Sequence, residues 1–356
     1  MADDSIQPGW QRYCPVPIPN DGDRILLAHG EGGRLMRKLI RDRIVAVLGG
    51  DRLHAMNDAA TLPRVDGELA MTTDSFVVSP LFFPGGDIGS LAVYGTVNDL
   101  AVSGAQPLYL TLSLILEEGL PLAVLDRVLQ SVAQAARETK VDIVAGDTKV
   151  VPRGAADGLF VTTTGVGQLV PPVPPGPDAL CEGDEILVTG PIGCHGIAVL
   201  CAREELHFEP PPQSDSAPLT QVVAELRTHL GTGLRALRDA TRGGVSAVLH
   251  EWAEASRLTM AIHEETLPIT SAVRGACELL GLDPVHVANE GTMVLAVAPG
   301  IADHALSVLH SLPGHRQACR IGSVRARRIA PVTIRRLLGS EQALDEPLGA
   351  PLPRIC

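Results

Sequence analysis

LAMTTDSFVVSPLFFPGGDIGSLAVYGTVNDL, residues 69–100, is the stretch from which the rest of the chain can be read. Leu69 to Thr73 form a strand that delivers Asp74, and Val77-Val78 continue it. Pro84-Gly85-Gly86-Asp87 is a turn, and a helix from about Ile88 carries Val97-Asn98-Asp99-Leu100. After the Gly104-Ala105 break, a second strand runs from Leu108 to Leu116. A helix follows from about Leu122 to Lys140, with Leu125, Val128, Leu129, Val132 and Ala136 at helical spacing. Ile143-Val144-Ala145 is a strand running into Gly146-Asp147-Thr148-Lys149, and residues 159–169 form a further β-branched strand. This alternation of strands and helices is the rhythm of an α/β domain.

Asp74, Asp87, Asp99 and Asp147 stand at strand ends or turns beside small residues. Taken singly, each is most simply a helix cap or turn former. Taken together around a glycine-rich, apolar sheet, they have the chemistry of a metal–triphosphate site. Mg²⁺ takes carboxylate oxygens and shares itself with a nucleotide's phosphates. Upstream, the apolar run Ile25 to Ala28 reads as a strand entering the turn His29-Gly30-Glu31-Gly32-Gly33, followed by a helix with Leu35, Met36, Leu39 and Ile40 on one face. Such a turn suits an anion, because glycines let backbone N–H groups approach closely. It is neither a Walker A loop nor GxGxxG, and a plain strand–turn–helix corner accounts for it at least as well.

A chain of 356 residues is long enough for two domains. Its 45% hydrophobic and 20% charged residues mark a globular protein. A net charge of −12 without a dense basic run argues against nucleic acid as the main partner. The acidic start, Met1-Ala2-Asp3-Asp4, is no signal peptide, and stretches such as Leu108 to Leu116 are too short to span a membrane. Seven cysteines without C-x-x-C spacing form neither a disulfide framework nor a zinc site, which points to reduced thiols and a cytoplasmic location.

The expected divisions are a loose N-terminal extension (1–24), a first domain (25–170), a proline-rich linker (171–178), a second α/β domain (179–338) and a tail (339–356). In the second domain a strand over 184–190 precedes a helix opened by His195-Gly196, and residues 207–218, with four prolines, read as a surface loop. Arg238-Asp239-Ala240-Thr241-Arg242-Gly243-Gly244 is another glycine-rich turn opening a helix, and Val287 to Gly291 leads into a strand over 292–298. The tail ends Pro351-Leu352-Pro353-Arg354-Ile355-Cys356. Folding does not require a cysteine as last residue. A flexible arm of 18 residues reaches roughly 60 Å when extended, so Cys356 reads either as a thiol carrying an acyl-type group between sites or as an incidental terminal cysteine.

The segments AHGEGGRLM, TTDSFVVSPLFFPGGDIG, GTVNDLAVSGAQPLYL, AGDTKVV, GPIGCHGIAVL, RDATRGGV, ELLGLDPVHVANEG and the terminal LPRIC decide between them. Together, from about residue 25 to 356, they resemble the HypE family of hydrogenase maturation factors, which make the cyanide ligands of nickel–iron hydrogenase. The VNDLAVSGA and GDT elements are shared with the wider aminoimidazole ribonucleotide synthetase-like superfamily.

The resemblance implies a two-domain α/β fold of α+β type with a flexible C-terminal tail, and a homodimer formed by joining the first domains' sheets, with ATP at that interface. It implies an ATP-dependent carbamoyl dehydratase: HypF places a carbamoyl group on Cys356, ATP and Mg²⁺ dehydrate it to a thiocyanate, and a HypC–HypD complex accepts the cyanide. Asp74, Asp87, Asn98, Asp99, Asp147 and Thr148 match the superfamily's ATP and Mg²⁺ positions, with Asp74, Asp87, Asp99 and Asp147 as metal ligands. Gly30, Glu31, Gly32 and Gly33 would fold over the phosphates. Lys149 and Glu290 are the candidates for polarising the carbamoyl oxygen and accepting an amide proton. Asp239, Thr241, Arg242 and, less strongly, His195 would shape the tail-docking groove. Two residues depart from the family pattern: Cys194 stands where an acidic residue is expected, and Tyr94 where a smaller one is. The rival readings are a selenophosphate synthetase, which needs a reactive thiol beside the glycine loop where this chain has only the distant Cys14, and a non-catalytic maturation scaffold, which needs no acidic set.

Overall fold

The computed structural model describes residues 22–346, 349, 352, 355 and 356. Most of the expected N-terminal extension (residues 1–21, with Cys14) lies outside the described residues, as do residues 347, 348, 350, 351, 353 and 354 of the tail.

Ile25 does not open a strand. It exchanges backbone hydrogen bonds with Gly119 and Leu120, and Leu27–Gly30 then tightens into a 3-10 turn. Among the described residues, no strand lies alongside to extend the pairing beyond the single bridge Arg24–Pro121. The helical stretch that follows comprises α1 (Arg34–Leu39), a π-helical segment, α2 (Ala46–Leu48) and, after a break, α3 (Asp51–His54).

The first domain is built on β1 (Leu69–Phe76), the short pair β2 (Phe82–Phe83) and β3 (Gly86–Asp87), α4 (Ile88–Val102), β4 (Ala105–Glu117), α5 (Leu122–Thr139), β5 (Asp142–Val151) and β6 (Leu159–Leu169). Its sheet has the order β1-β6-β4-β5, with β5 parallel to β4 and the other pairs antiparallel. Side chains alternate across a strand, so one face is covered and the other open. Leu110, Leu112, Leu114 and Leu116 point to the covered face and are buried with Leu91, Val97, Leu125 and Leu129 of the two helices. Burying each such side chain contributes about 1.5–3 kcal/mol. α4 is apolar all round and buried on nearly every side, the mark of a central helix. The open face leaves Leu69, Met71 and Ile115 exposed.

The second domain comprises β7 (Glu185–Val188), α6 (Cys194–Arg203), α7 (Thr220–Leu230), β8 (Leu234–Asp239), α8 (Gly244–Ser256), β9 (Thr259–His263), α9 (Ser271–Leu280), β10 (Met293–Val297), α10 (Ala302–Ser311), β11 (Cys319–Arg325), β12 (Val332–Arg335) and β13 (Glu341–Ala343). Its seven strands run in the order β13-β12-β9-β11-β7-β10-β8. The proline run between the domains is held in place: Arg227 donates to the carbonyl of Pro172, and Val173 and Pro174 pack against Gly104.

Candidate active site

Asp74 sits near the end of β1, opposite Thr163 of β6, on the face covered by α4. It accepts from Thr96 Oγ1 at 3.3 Å, and Thr72 Oγ1 donates to Asp99 at 2.9 Å, so both carboxylates are fixed between β1 and α4. Asp239 ends β8, and Glu290 lies just before β10. Their charges meet. Burial, then the charge of Asp99, pushes Asp74 up to about 6. The same two causes push Asp239 up to about 7. Glu290 is raised well above the usual carboxyl range by burial, and then by Asp239, Asp215, Asp74 and Asp99. Repelling carboxyls gathered at a domain seam are the environment a hard cation relieves. Among the described residues no three ligating side chains converge closely enough to hold an ion by themselves, which leaves room for phosphate oxygens and water in the coordination shell.

The chain's end enters this cluster. Ile355 is buried and Cys356 half-buried, the N–H of Val77 donates to a terminal carboxylate oxygen of Cys356 at 3.0 Å, and His195 Nε2 bonds the carbonyl of Ile355. Leu352 packs against Gly196 at the start of α6, where a Cβ would stand 3.2 Å from its methyl. Burial, with Glu290 as the next cause, pushes the Cys356 thiol up to about 12, while Arg242 pulls it down. Gly95 of α4 supplies the room here: a Cβ would press on the Phe76 ring at 2.8 Å and stand 4.0 Å from Glu290 Oε2. Cys194 is buried and likewise pushed up to about 12, chiefly by burial, which leaves it a poor nucleophile. Tyr94 donates to the Glu138 carboxylate and is raised by its burial and that bond.

Several residues stand elsewhere than the sequence suggests. Asp87 caps α4, its Oδ1 accepting from Gly89 and Ser90 at 2.8 and 3.1 Å. Twelve residues of helix hold it about 18 Å from Asp99, too far to share one cation. Asn98 has both ends of its amide taken up by protein partners. It is buried, its amide donating to the carbonyls of Ala217 and Glu290 and its oxygen accepting from Leu219 N–H at 2.7 Å, so it pins the two domains together. Asp239 shares its surroundings with Asp74 and Asp99, in the cluster that the tail enters.

Asp147 and Lys149 pair with each other at 2.8 Å on the open face of the sheet. Asp147 is level with Ser113, Thr162 and Ser75, so it faces the opposite way from Asp74. It also lies three strands, about 14 Å, away. One chain therefore does not bring Lys149 to Glu290. Thr148 points into the covered face and lines a small cavity of about 200 Å³ with Ile44, Arg52 and Leu53. Gly30 lies against β5, where a Cβ would collide with Val150 at 2.9 Å, while a Cβ on Gly32 or Gly33 would meet open space. Thr241 shapes the turn into α8 through its carbonyl, which accepts from Gly244 at 2.9 Å, while the charge of Arg242 reaches Asp74 and Cys356.

The proline-rich segment 207–218 is not merely a surface loop. Ser214 N–H bonds the carbonyl of Pro84, tying it to the first domain. Asp215 accepts from the N–H groups of Glu290 and Gly291 at 3.2 and 3.0 Å, and a Cβ on Gly291 would lie 1.8 Å from the Asp215 carbonyl oxygen. The sequence signal was available: Ser-Asp-Ser among prolines and a glycine directly after Glu290 both allow close backbone approach.

Comparisons with known proteins agree with this architecture. Residues 56–169 match the family model of the AIR synthase related protein N-terminal domain, and residues 182–334 that of the C-terminal domain. Carbamoyl dehydratase HypE of Rhizobium leguminosarum bv. viciae is 46% identical over 94% of this chain and 95% of its own. A crystal structure of the hydrogenase maturation protein HypE in complex with ATP superposes with a TM-score of 0.88 at 44% identity, covering 93% of this chain and 99% of that one. HypE in a crystallised HypE–HypF complex gives 0.76 at 43% identity, covering 88% of this chain and 100% of that one. The chain belongs to the HypE family of carbamoyl dehydratases.

Proposed function

We propose that Cys356 carries the substrate group of this ATP-dependent carbamoyl dehydratase and that dehydration takes place where the structure docks it, beside Glu290. The observation that carries the reading is the placement of the terminal thiol against a buried carboxyl cluster, with its backbone held by Val77 and His195. An S-carboxamide does not lose water unaided, because its oxygen is a poor leaving group. Phosphoryl transfer from ATP to that oxygen, with loss of one N–H proton, gives an imidate phosphate and ADP. Loss of the second N–H proton expels phosphate and leaves S–C≡N.

Glu290 is the base for an amide proton. The charges of neighbouring carboxylates help keep it protonated, so neutralising them would let it ionise and accept that proton. Burial of the docked tail excludes competing water. Asp74, Asp99 and Asp239 are the residues that would hold Mg²⁺, and their oxygen-only donor set and mutual repulsion suit it. Bound there, the ion would neutralise phosphate charge.

Lys149 and Asp147 serve the site of a second copy in a homodimer joined through the open sheet face. Exposed Leu69, Met71 and Ile115 support that interface. HypF supplies the carbamoyl group, as the solved HypE–HypF complex supports, and a HypC–HypD complex accepts the cyanide. The setting is cytoplasmic. Free cysteines support this, and no described helix is long and apolar enough to cross a membrane.

Intact-mass analysis after incubation with HypF, carbamoyl phosphate and ATP tests the chemistry. A carbamoyl adduct on Cys356 that then loses one water is expected, and an adduct on Cys194 overturns the assignment. Mixed dimers test the shared site. Lys149→Ala and Glu290→Gln proteins are each inactive, and their equal mixture recovers about a quarter of the activity through one intact site per mixed dimer.

A further inference from the structure

We infer that Ser214 and His195 form a proton-ordered couple that positions the last two residues of the chain for reaction. The inference rests on the proposed role of Cys356. The carbonyl of Ile355 can only accept, so the imidazole nitrogen facing it, Nε2, must carry the proton. Burial disfavours a charged imidazole, so the ring is neutral and Nδ1 must accept. Its partner at 2.8 Å is Ser214 Oγ, which already accepts from Ser216 N–H at 3.1 Å and so has its one proton to give. Every proton in the chain Ser216 N–H, Ser214 O–H, His195 Nε2–H, Ile355 C=O is thereby assigned.

The other tautomer would set a lone pair against the Ile355 carbonyl and push the tail out. Phe83 meets the ring edge-to-face at 5.3 Å and stops it from turning to escape that clash. Val77 N–H supplies the second hold, one residue further along. With both oxygens held, the Cys356 thiol stands close enough to Glu290 to feel its charge. The same loop reaches both reaction partners, since Asp215, next to Ser214, holds the backbone of Glu290.

The couple touches no reacting atom, so these are positioning residues. The test uses full-length protein carrying His195→Ala, His195→Gln, Ser214→Ala, or His195→Gln with Ser214→Ala. Two quantities are read: the rate at which iodoacetamide labels Cys356, by mass spectrometry of the C-terminal peptide, and the first-order rate of water loss from the carbamoylated chain at saturating ATP. His195→Ala is expected to speed labelling and slow dehydration by about five-fold each, the worth of one hydrogen bond, with the KM for ATP unchanged.

His195→Gln places an amide N–H where Nε2–H stood and restores both rates. Ser214→Ala costs about three-fold in the parent, where the tautomer is released. In the Gln background it costs less, because only the bond to Ser216 N–H is lost and no imidazole tautomer is released. An equal cost in both backgrounds, or a Gln variant no better than Ala, overturns the inference. Labelling that shifts as stated while no protein, parent included, loses water supports the couple and instead counts against the role given to Cys356.

Discussion

Raising the pH should drive the terminal sulfur out of its site. Outside it, the Cys356 thiol starts from a reference value of 9.0, and docked it is pushed up to about 12 by burial, then Glu290. Three units correspond to about 4 kcal/mol against docking the thiolate. The sign follows from linkage: a group whose docked pKa is raised docks fully below its free value and loses docking as pH climbs between the two. Docking should therefore be constant below pH 9 and weaken about ten-fold per unit above it, by about thirty-fold at pH 10.5. The assay is a titration of thiolate ultraviolet absorbance in the parent minus that in Cys356→Ser, which cancels the other thiols and the tyrosines. The apparent midpoint lies above 9 by the logarithm of the docking constant and cannot exceed about 12. A midpoint at the free value would show that the sulfur is not held beside Glu290, and the reasoning would fail. The chemical corollary is that docked thiol is not a nucleophile, so loading must occur on the withdrawn tail. A carbamoylated sulfur has no charge to desolvate and returns without that penalty.

Asp239→Asn should stabilise the protein relative to its parent by about 2 kcal/mol more at pH 7 than at pH 5. A carboxyl raised to about 7 penalises the fold only where it is ionised, so the penalty is absent below 3.8 and grows as pH rises. Urea unfolding at the two pH values measures this, and an equal gap at both would refute it. Asn98→Ala should cost about 3 kcal/mol in the same assay, because it strands the buried Leu219 N–H and two carbonyls; a loss below about 1 kcal/mol would mean that Asn98 is not a pin. Gly291→Ala puts a methyl 1.8 Å from a backbone oxygen. It should lower the dehydration rate about a hundred-fold through displacement of Glu290, with a near-normal rate counting against the role of Asp215.

What the sequence disclosed was local. Period-two and period-3.6 patterning locates β1, β4, β6 and α5 closely, the Pro84–Asp87 turn places the start of α4, and acidic residues beside small ones flag Asp74 and Asp99. The same signature, a strand ending in Asp before a glycine turn, is present at Asp239 and could have grouped it with them. The pairings that needed the third dimension were hidden. Asn98 finds partners at 217, 219 and 290 on another domain, and nothing in Val-Asn-Asp announces that both ends of its amide are used. Asp147 was read with Asp74 because both precede small or polar residues, but sheet register puts them on opposite faces. Four prolines marked 207–218 as irregular, correctly, yet irregular backbone can line a seam as readily as a surface when its N–H groups find carbonyls there.

The Asn98 clasp has a further consequence. Enzymes that shut out water usually do so by swinging two lobes together around the reactants. Here the lobes are riveted through the middle of α4, so jaw-like closure is denied to them. Among the described residues, motion then falls to the sulfur-bearing end, which on the proposed chemistry is both plug and cargo. On that chemistry, turnover would be clocked by how long the plug stays seated.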